Sequence, residues 1–167
     1  MFASACRLAG AACVAVLAAS FAAPASADLL ARKDLSLDTA LAIASTAAAT
    51  CKTQGYRVSV HVVGRNGEVL VALRGDDASP HTMENSMRKA YTSRTFRVPS
   101  GEIAKRLKDN PQFAAVFLTN VIATQGALPI TVGDDVIGAV GVSGAPGGDK
   151  DEACAKTGID KVADQLK

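Results

Sequence analysis

The sequence predicts an α+β fold, in which helices pack on an antiparallel β-sheet. Two pairs of apolar segments, 56–63 with 68–73 and 128–132 with 136–142, are each joined by a short polar turn that contains glycine. Such pairs are typical of β-hairpins, and an Asn-Gly dipeptide, as in the first turn, is a strong hairpin signal. Helical periodicity lies between and around the hairpins, which favours an antiparallel sheet over a doubly wound parallel one.

Helices are predicted on both sides of the first hairpin and after the second. Ser36 is a suitable N-cap for an Ala-rich helix that runs to Gln54, and Gly55 is the residue type expected just beyond its end. Further helices are predicted at 82–96, 100–107 and 149–166, whereas the apolar segment 113–122 is compatible with a strand or a helix. In the first helix, apolar side chains at helical spacing predict a buried face made of Leu37, Leu41, Ala44, Ala48 and Cys51.

Residues 1–27 have the three parts of a secretory signal peptide. A short, positively charged start (1–7) is followed by an apolar stretch (8–23) and then by Ala-Ser-Ala at 25–27. This order predicts cleavage before Asp28 and leaves a single domain at 28–167. The alternative is a membrane anchor, but the apolar stretch is short for a span and ends at a cleavage site. We therefore expect a bacterial protein that is exported to the periplasm or the medium.

Charge and hydropathy argue against two classes of partner. The formal net charge is +2, whereas a nucleic-acid-binding domain needs a strong basic excess. Beyond the signal peptide, no apolar stretch of the sequence is long enough to span a bilayer. We expect no nucleic-acid partner, and no membrane partner once the signal peptide is removed.

Two cysteines, Cys51 and Cys154, remain after cleavage. An even pair in an exported protein is a candidate disulfide. Both lie in predicted helices, so a bridge would join the first helix to the last. The alternative is a pair of buried free thiols, and two cysteines alone are too few for a metal site.

The second helix begins with residue types that can bind haem iron. His81 lies at a junction of loop and helix, where its side chain can project into a cleft, and Met83 and Met87 are one turn apart on the helix that follows. Imidazole and thioether are both axial ligands of haem iron. Taken alone the pattern is weak, because methionine stripes are more often core and a histidine at a helix start is more often a cap or a surface residue.

Four basic residues give the same helix a positive character, namely Arg88, Lys89, Arg94 and Arg97. Such a set is commonly a solvated face. It could also contact carboxylates, either haem propionates or a small acid.

Two further features have structural interpretations. His61 lies on one face of the first strand, where it is either a packed core histidine or a surface one. The glycine-rich loop at 144–148 could cradle an anion at the start of the last helix, but Asp149, Asp151 and Glu152 would repel a phosphate there. A structural turn that lets backbone pass close to another element is the better interpretation.

The sequence has no motif of an independent enzyme. It contains no Gly-x-Ser-x-Gly elbow, no P-loop, no His-Glu-x-x-His and no convincing Ser-His-Asp order. We expect a binding protein rather than an enzyme.

Several stretches of the domain are shared with a known family. The most specific is Gly-Val-Ser-Gly-Ala-Pro-Gly-Gly at 141–148, and the others lie at 56–73, 89–92, 96–100, 128–130, 136–145 and 151–155. In these stretches, which extend over nearly the whole domain, the chain resembles the GlcG/HbpS-like haem-binding family. One position departs from the family pattern, because Gly64 stands where members often have an acidic residue.

The resemblance implies an α+β domain akin to profilin-like folds and an oligomeric assembly. Some members bind haem, and haem breakdown with iron release is proposed for some of them. If this chain has an activity, the resemblance therefore implies haem degradation.

We predict an exported haem-binding protein that takes part in haem scavenging, sensing or breakdown and forms a homo-oligomer. In this hypothesis His81 is the iron ligand, Met83 and Met87 line the pocket, and Lys89 or Arg88 meets the propionates. One alternative is a module that binds a small carboxylic acid beside the helix of Lys89. The other is an oligomeric partner-binding protein without a ligand.

Overall fold

Two β-hairpins form one four-stranded antiparallel sheet in the computed structural model, which describes residues 29–167. The first hairpin consists of β1 (Ser59–Val63) and β2 (Val69–Arg74), and the second of β3 (Ala127–Val132) and β4 (Asp135–Ser143). β1 and β4 pair with each other, so the strand order is β2-β1-β4-β3. The predicted α+β class is confirmed, whereas the predicted signal peptide lies outside the described residues.

Four α-helices accompany the sheet, and they are α1 (Leu37–Thr53), α2 (His81–Phe96), α3 (Ser100–Asp109) and α4 (Gly148–Lys161). The segment 113–122 is neither a strand nor an α-helix. It begins within a 3₁₀-helix, Pro111–Val116, and continues as turns and irregular backbone. A second 3₁₀-helix, Ala163–Gln165, follows α4.

Helices cover both faces of the sheet. α1 and α4 pack on one face and on each other, and α2 packs on the opposite face. α2 lies very close to the sheet at Gly141, where a Cβ atom would come within 2.3 Å of the Ser86 carbonyl oxygen. Since both faces are covered, β1 is buried along its whole length and β4 is buried beyond Asp135. Burial on two faces is why these strands have continuous apolar runs rather than strict alternation.

The buried face of α1 differs from the predicted one. Ser36 caps this helix as expected, because its Oγ accepts the Thr39 backbone N–H at 3.2 Å. However, Leu37 and Leu41 are 60% and 41% exposed. The buried residues are Ala40, Ile43, Ala44, Ala47 and Cys51, so the prediction is confirmed for Ala44 and Cys51.

Close packing of α1 against α4 accounts for this difference. A Cβ atom at Gly158 of α4 would lie only 2.5 Å from the Ile43 carbonyl oxygen, so the two backbones are almost in contact. Small side chains permit such an approach, and the larger leucines are left outside it.

The predicted disulfide is present and joins α1 to α4. The Sγ atoms of Cys51 and Cys154 are 2.13 Å apart, and neither residue is exposed to solvent. Among residues 29–167, no helix combines the length and the apolar character that a membrane span requires.

Removal of this disulfide should lower the free energy of unfolding by about 2–5 kcal/mol, because the bridge restricts the unfolded chain across a long loop. The two cysteines are 103 positions apart in the sequence. Urea unfolding of the Cys51→Ala/Cys154→Ala variant and of the oxidised wild type measures the difference. Two thiols that can be alkylated in the native, unreduced protein would contradict the bridge.

Candidate ligand-binding cleft

A cleft of about 410 Å³ lies where the start of α2, the glycine loop (residues 144–148) and the segment before β3 meet. α2 contributes His81, Thr82, Asn85 and Lys89 to its lining. The other lining residues are Arg57, Ser79, Thr124, Gln125, Ser143, the glycine loop and Asp151. Most of the lining side chains are polar, so the cleft is suited to a ligand with several hydrogen-bonding groups.

Helical spacing explains which residues of α2 reach the cleft. His81, Asn85 and Lys89 are successive i, i+4 positions, and such residues lie on one side of a helix. His81 is exposed, and its imidazole forms no hydrogen bond with the residues that the structure describes. Asn85 is half-buried, and its Nδ2 donates to the Ser143 Oγ at 2.9 Å. On this side, the cleft is therefore bounded by the free imidazole of His81 and by the Asn85 amide, which is hydrogen-bonded to the end of β4.

The other predicted pocket residues of α2 lie away from the cleft. With 3.6 residues per turn, Met83 and Met87 are about 200° and 240° around the helix from His81. Both are half-buried. They flank the face of α2 that packs on the sheet, on the side away from His81. Arg88 is on the same side as His81 but two turns further along, where it pairs with Glu84 at 2.6 Å.

Lys89 lies beneath the cleft and is only 3% exposed. We expected it to meet a carboxylate of a ligand, but its carboxylate partner is Asp151 of the same chain, at 2.7 Å. The Nζ atom also donates to the Val142 carbonyl at 3.1 Å. The Lys89 ammonium therefore pairs with groups of this chain, and not with a ligand carboxylate.

Asp151 is the buried residue of the cleft lining that sequence reasoning missed. It is 2% exposed, and its Oδ1 accepts the Ala145 backbone N–H at 3.0 Å. Burial raises the pKa of the Asp151 carboxyl, while the hydrogen bonds from Lys89 and Ala145 oppose that rise. One sequence signal pointed to its burial: Asp151 precedes the buried Cys154 by three positions, and such residues share a helix face.

Backbone passes close to this ion pair at Gly126. Its φ is +131°, and a Cβ atom there would lie 2.7 Å from the Lys89 Nζ and 2.9 Å from the Asp151 Cβ. In the glycine loop, Gly144 also has φ +131°, and its Cβ would lie 2.3 Å from the Arg57 carbonyl oxygen. Both positions need glycine, which supports the structural interpretation of the loop.

His61 is a packed core histidine beneath α2. It is 5% exposed, and its Nδ1 is 2.8 Å from the Ser86 Oγ. The Ser86 hydroxyl also donates to the Met83 carbonyl at 3.1 Å, so the network is complete when the His61 Nδ1–H is the donor. Burial lowers the pKa of His61.

The sequence of residues 35–160 matches the family described as "Haem degrading protein HbpS-like". The chain belongs to the HbpS-like family. This confirms the resemblance seen in the sequence, and similar solved structures support the fold.

A crystal structure of HbpS is 37% identical to this member, with a TM-score of 0.75 over 80% of this chain and 93% of that chain. The "Uncharacterized 15.0 kDa protein in dhaT-dhaS intergenic region" of Citrobacter freundii is 34% identical over 102 residues, which are 59% of this chain and 71% of that protein. The crystal structure of a PduOC:Heme complex is 20% identical, with a TM-score of 0.69 over 77% of this chain and 95% of that one. The last likeness is one of fold alone.

Stability should decrease as the pH falls through the range in which histidine titrates. Because the folded protein keeps His61 neutral to a lower pH than the unfolded chain does, protonation favours unfolding. The free energy of unfolding should decrease below pH 6.5, the ordinary value for histidine, and this loss should continue down to the lowered pKa of the folded state. Urea unfolding between about pH 5 and pH 8 measures this dependence.

The His61→Asn variant should lose this part of the pH dependence, because asparagine has no proton to gain. A variant whose stability falls with pH as steeply as that of the wild type would exclude His61 as its source.

Proposed function

We propose that this HbpS-like protein is an exported haem-binding protein in which His81 ligates the iron. The observation that carries the proposal is the free imidazole of His81 at the edge of the cleft. The chain has two histidines, and the other one, His61, is buried and bonded to Ser86. Cys51 and Cys154 are joined to each other. His81 is therefore the histidine that a ligand can reach.

The lining residues fit the polar parts of haem. Arg57 is exposed and could pair with a propionate, while Asn85 and Gln125 could donate hydrogen bonds to it. Ala145 and Pro146 offer a small apolar surface to a porphyrin edge. When bound, haem would supply redox chemistry at its iron, and the chain would supply the ligand and the carboxylate contacts.

Export is proposed from two independent features. The predicted signal peptide at 1–27 directs the chain out of the cytoplasm, and a disulfide persists in an oxidising compartment. In the periplasm or the medium, a haem-binding protein would take part in haem scavenging, sensing or breakdown. The expected homo-oligomer stays a prediction, which light scattering of the purified domain tests.

A second candidate is a module that binds a small carboxylic acid. The polar lining favours it, because one guanidinium, two amides and the Ser143 hydroxyl surround a space of about 410 Å³. Native mass spectrometry that finds an organic acid bound to the purified domain, and lost in Arg57→Ala, would support this candidate over haem.

His81→Ala should weaken haem binding strongly. Loss of a group that only supports a metal ligand already costs about 10–100-fold in affinity, so we expect loss of the ligand itself to cost at least about a hundredfold. Titration of the mature domain with haem, followed by the Soret band, measures this affinity.

The matched controls are Met83→Leu and Met87→Leu, which change residues of the same helix outside the cleft and should bind haem as the wild type does. An unchanged Soret spectrum in His81→Ala would remove His81 as the ligand. No Soret shift in the wild type would remove the haem proposal.

A further inference from the structure

The Lys89–Asp151 ion pair lies directly beneath the glycine-loop side of the cleft. The two charged atoms are 2.7 Å apart, and the residues are 3% and 2% exposed. The pair joins α2 to the first turn of α4, two elements on opposite faces of the sheet.

Stability alone is a poor explanation for an ion pair in this place. Removing two charges from water carries a penalty that their mutual attraction often fails to offset, and apolar residues of similar volume commonly serve as well or better. The hydrogen bonds that the pair makes to the backbone suggest a more specific role.

The pair holds the end of β4 and the start of the glycine loop, one point on each. Lys89 donates to the carbonyl of Val142 at 3.1 Å, and Asp151 accepts the N–H of Ala145 at 3.0 Å. Only Ser143 and Gly144 lie between these points, and both line the cleft. Ser143 is already held by the sheet, opposite Ser59, so what the ion pair adds is a tie between the glycine loop at Ala145 and the end of β4.

We propose that Lys89 and Asp151 are positioning residues for the ligand of the cleft. They act through the backbone of residues 142–145, and they set the affinity by fixing the glycine loop relative to the end of β4 before the ligand arrives. This inference rests on the proposed function of the cleft. It adds two residues that determine affinity, and one of them, Asp151, was not among the predicted ligand contacts.

The test separates affinity from stability. In Lys89→Met/Asp151→Leu the charges are replaced by apolar side chains, so the domain should remain folded with a thermal midpoint near that of the wild type. The Ala145 N–H then has no acceptor, and haem binding should weaken by about tenfold or more. Wild-type affinity in this variant would overturn the proposal.

The matched control is an ion pair on the same helix but away from the cleft. Lys156 and Asp160 of α4 are 2.6 Å apart, and their side chains are 66% and 58% exposed. Lys156→Met/Asp160→Leu should bind haem as the wild type does. An equal loss of affinity in this control would also overturn the proposal.

Two single variants cover the case in which the double variant does not fold. Asp151→Asn and Asp151→Ala both leave Lys89 without its counter-charge, but only asparagine keeps an oxygen that can accept the Ala145 N–H. Asp151→Asn should therefore bind haem more tightly than Asp151→Ala. Equal affinities would show that the bond to Ala145 does not position the cleft.

Amide hydrogen exchange tests the positioning without any ligand. In the wild type the Ala145 N–H should be protected, and in Lys89→Met/Asp151→Leu, or in Asp151→Ala if the double variant does not fold, it should exchange about tenfold faster or more. If the wild type binds no haem, the proposed function fails, and this exchange measurement alone decides whether the pair fixes the loop. Unchanged exchange at Ala145 would overturn the inference.

Discussion

The buried contact between Lys89 and Asp151 is the constraint on which the arrangement of the cleft depends. It lies where α2, the end of β4 and the start of α4 meet. A desolvated charge is tolerated only when a partner and hydrogen bonds satisfy it, so the loss of either residue leaves the other charge buried and unpaired. The backbone at Gly126 passes so close to the pair that there is no space for a side chain at this position.

Where α2 packs on the sheet, polar side chains, most of them small, form part of the contact. Ser59 and Thr82 share a hydrogen bond of 2.7 Å between their hydroxyls, and His61 and Ser86 share one of 2.8 Å. These bonds fix the rotation of the helix, because each one needs a particular side chain at a particular position on it. The same rotation brings His81 and Asn85 to the cleft and keeps the two methionines of α2 away from it. The position of the free imidazole thus follows from how the sheet-packing face of the helix is anchored.

Local patterns in the sequence were enough to predict the sheet, the main helices and the disulfide. Turn residues and apolar runs define hairpins locally. The disulfide could be predicted because Cys51 and Cys154 are an even pair of cysteines in a chain that is expected to be exported. The buried face of α1 was predicted correctly at Ala44 and Cys51 but not at the two leucines, because Gly158, far along the chain, decides how close the two helices come. The bond between Lys89 and Asp151 joins residues 62 positions apart, and periodicity carries no information about such a pairing.

A double-mutant cycle on Lys89 and Asp151 tests most directly whether this contact organises the fold around the cleft. Free energies of unfolding are measured in urea for the wild type, Lys89→Met, Asp151→Leu and the double variant. We predict that each single change costs about 3–5 kcal/mol, because it leaves a buried charge unpaired. The double change should cost less than either single change, because it leaves no buried charge unpaired. Single costs that add to within about 0.5 kcal/mol in the double variant would contradict the account.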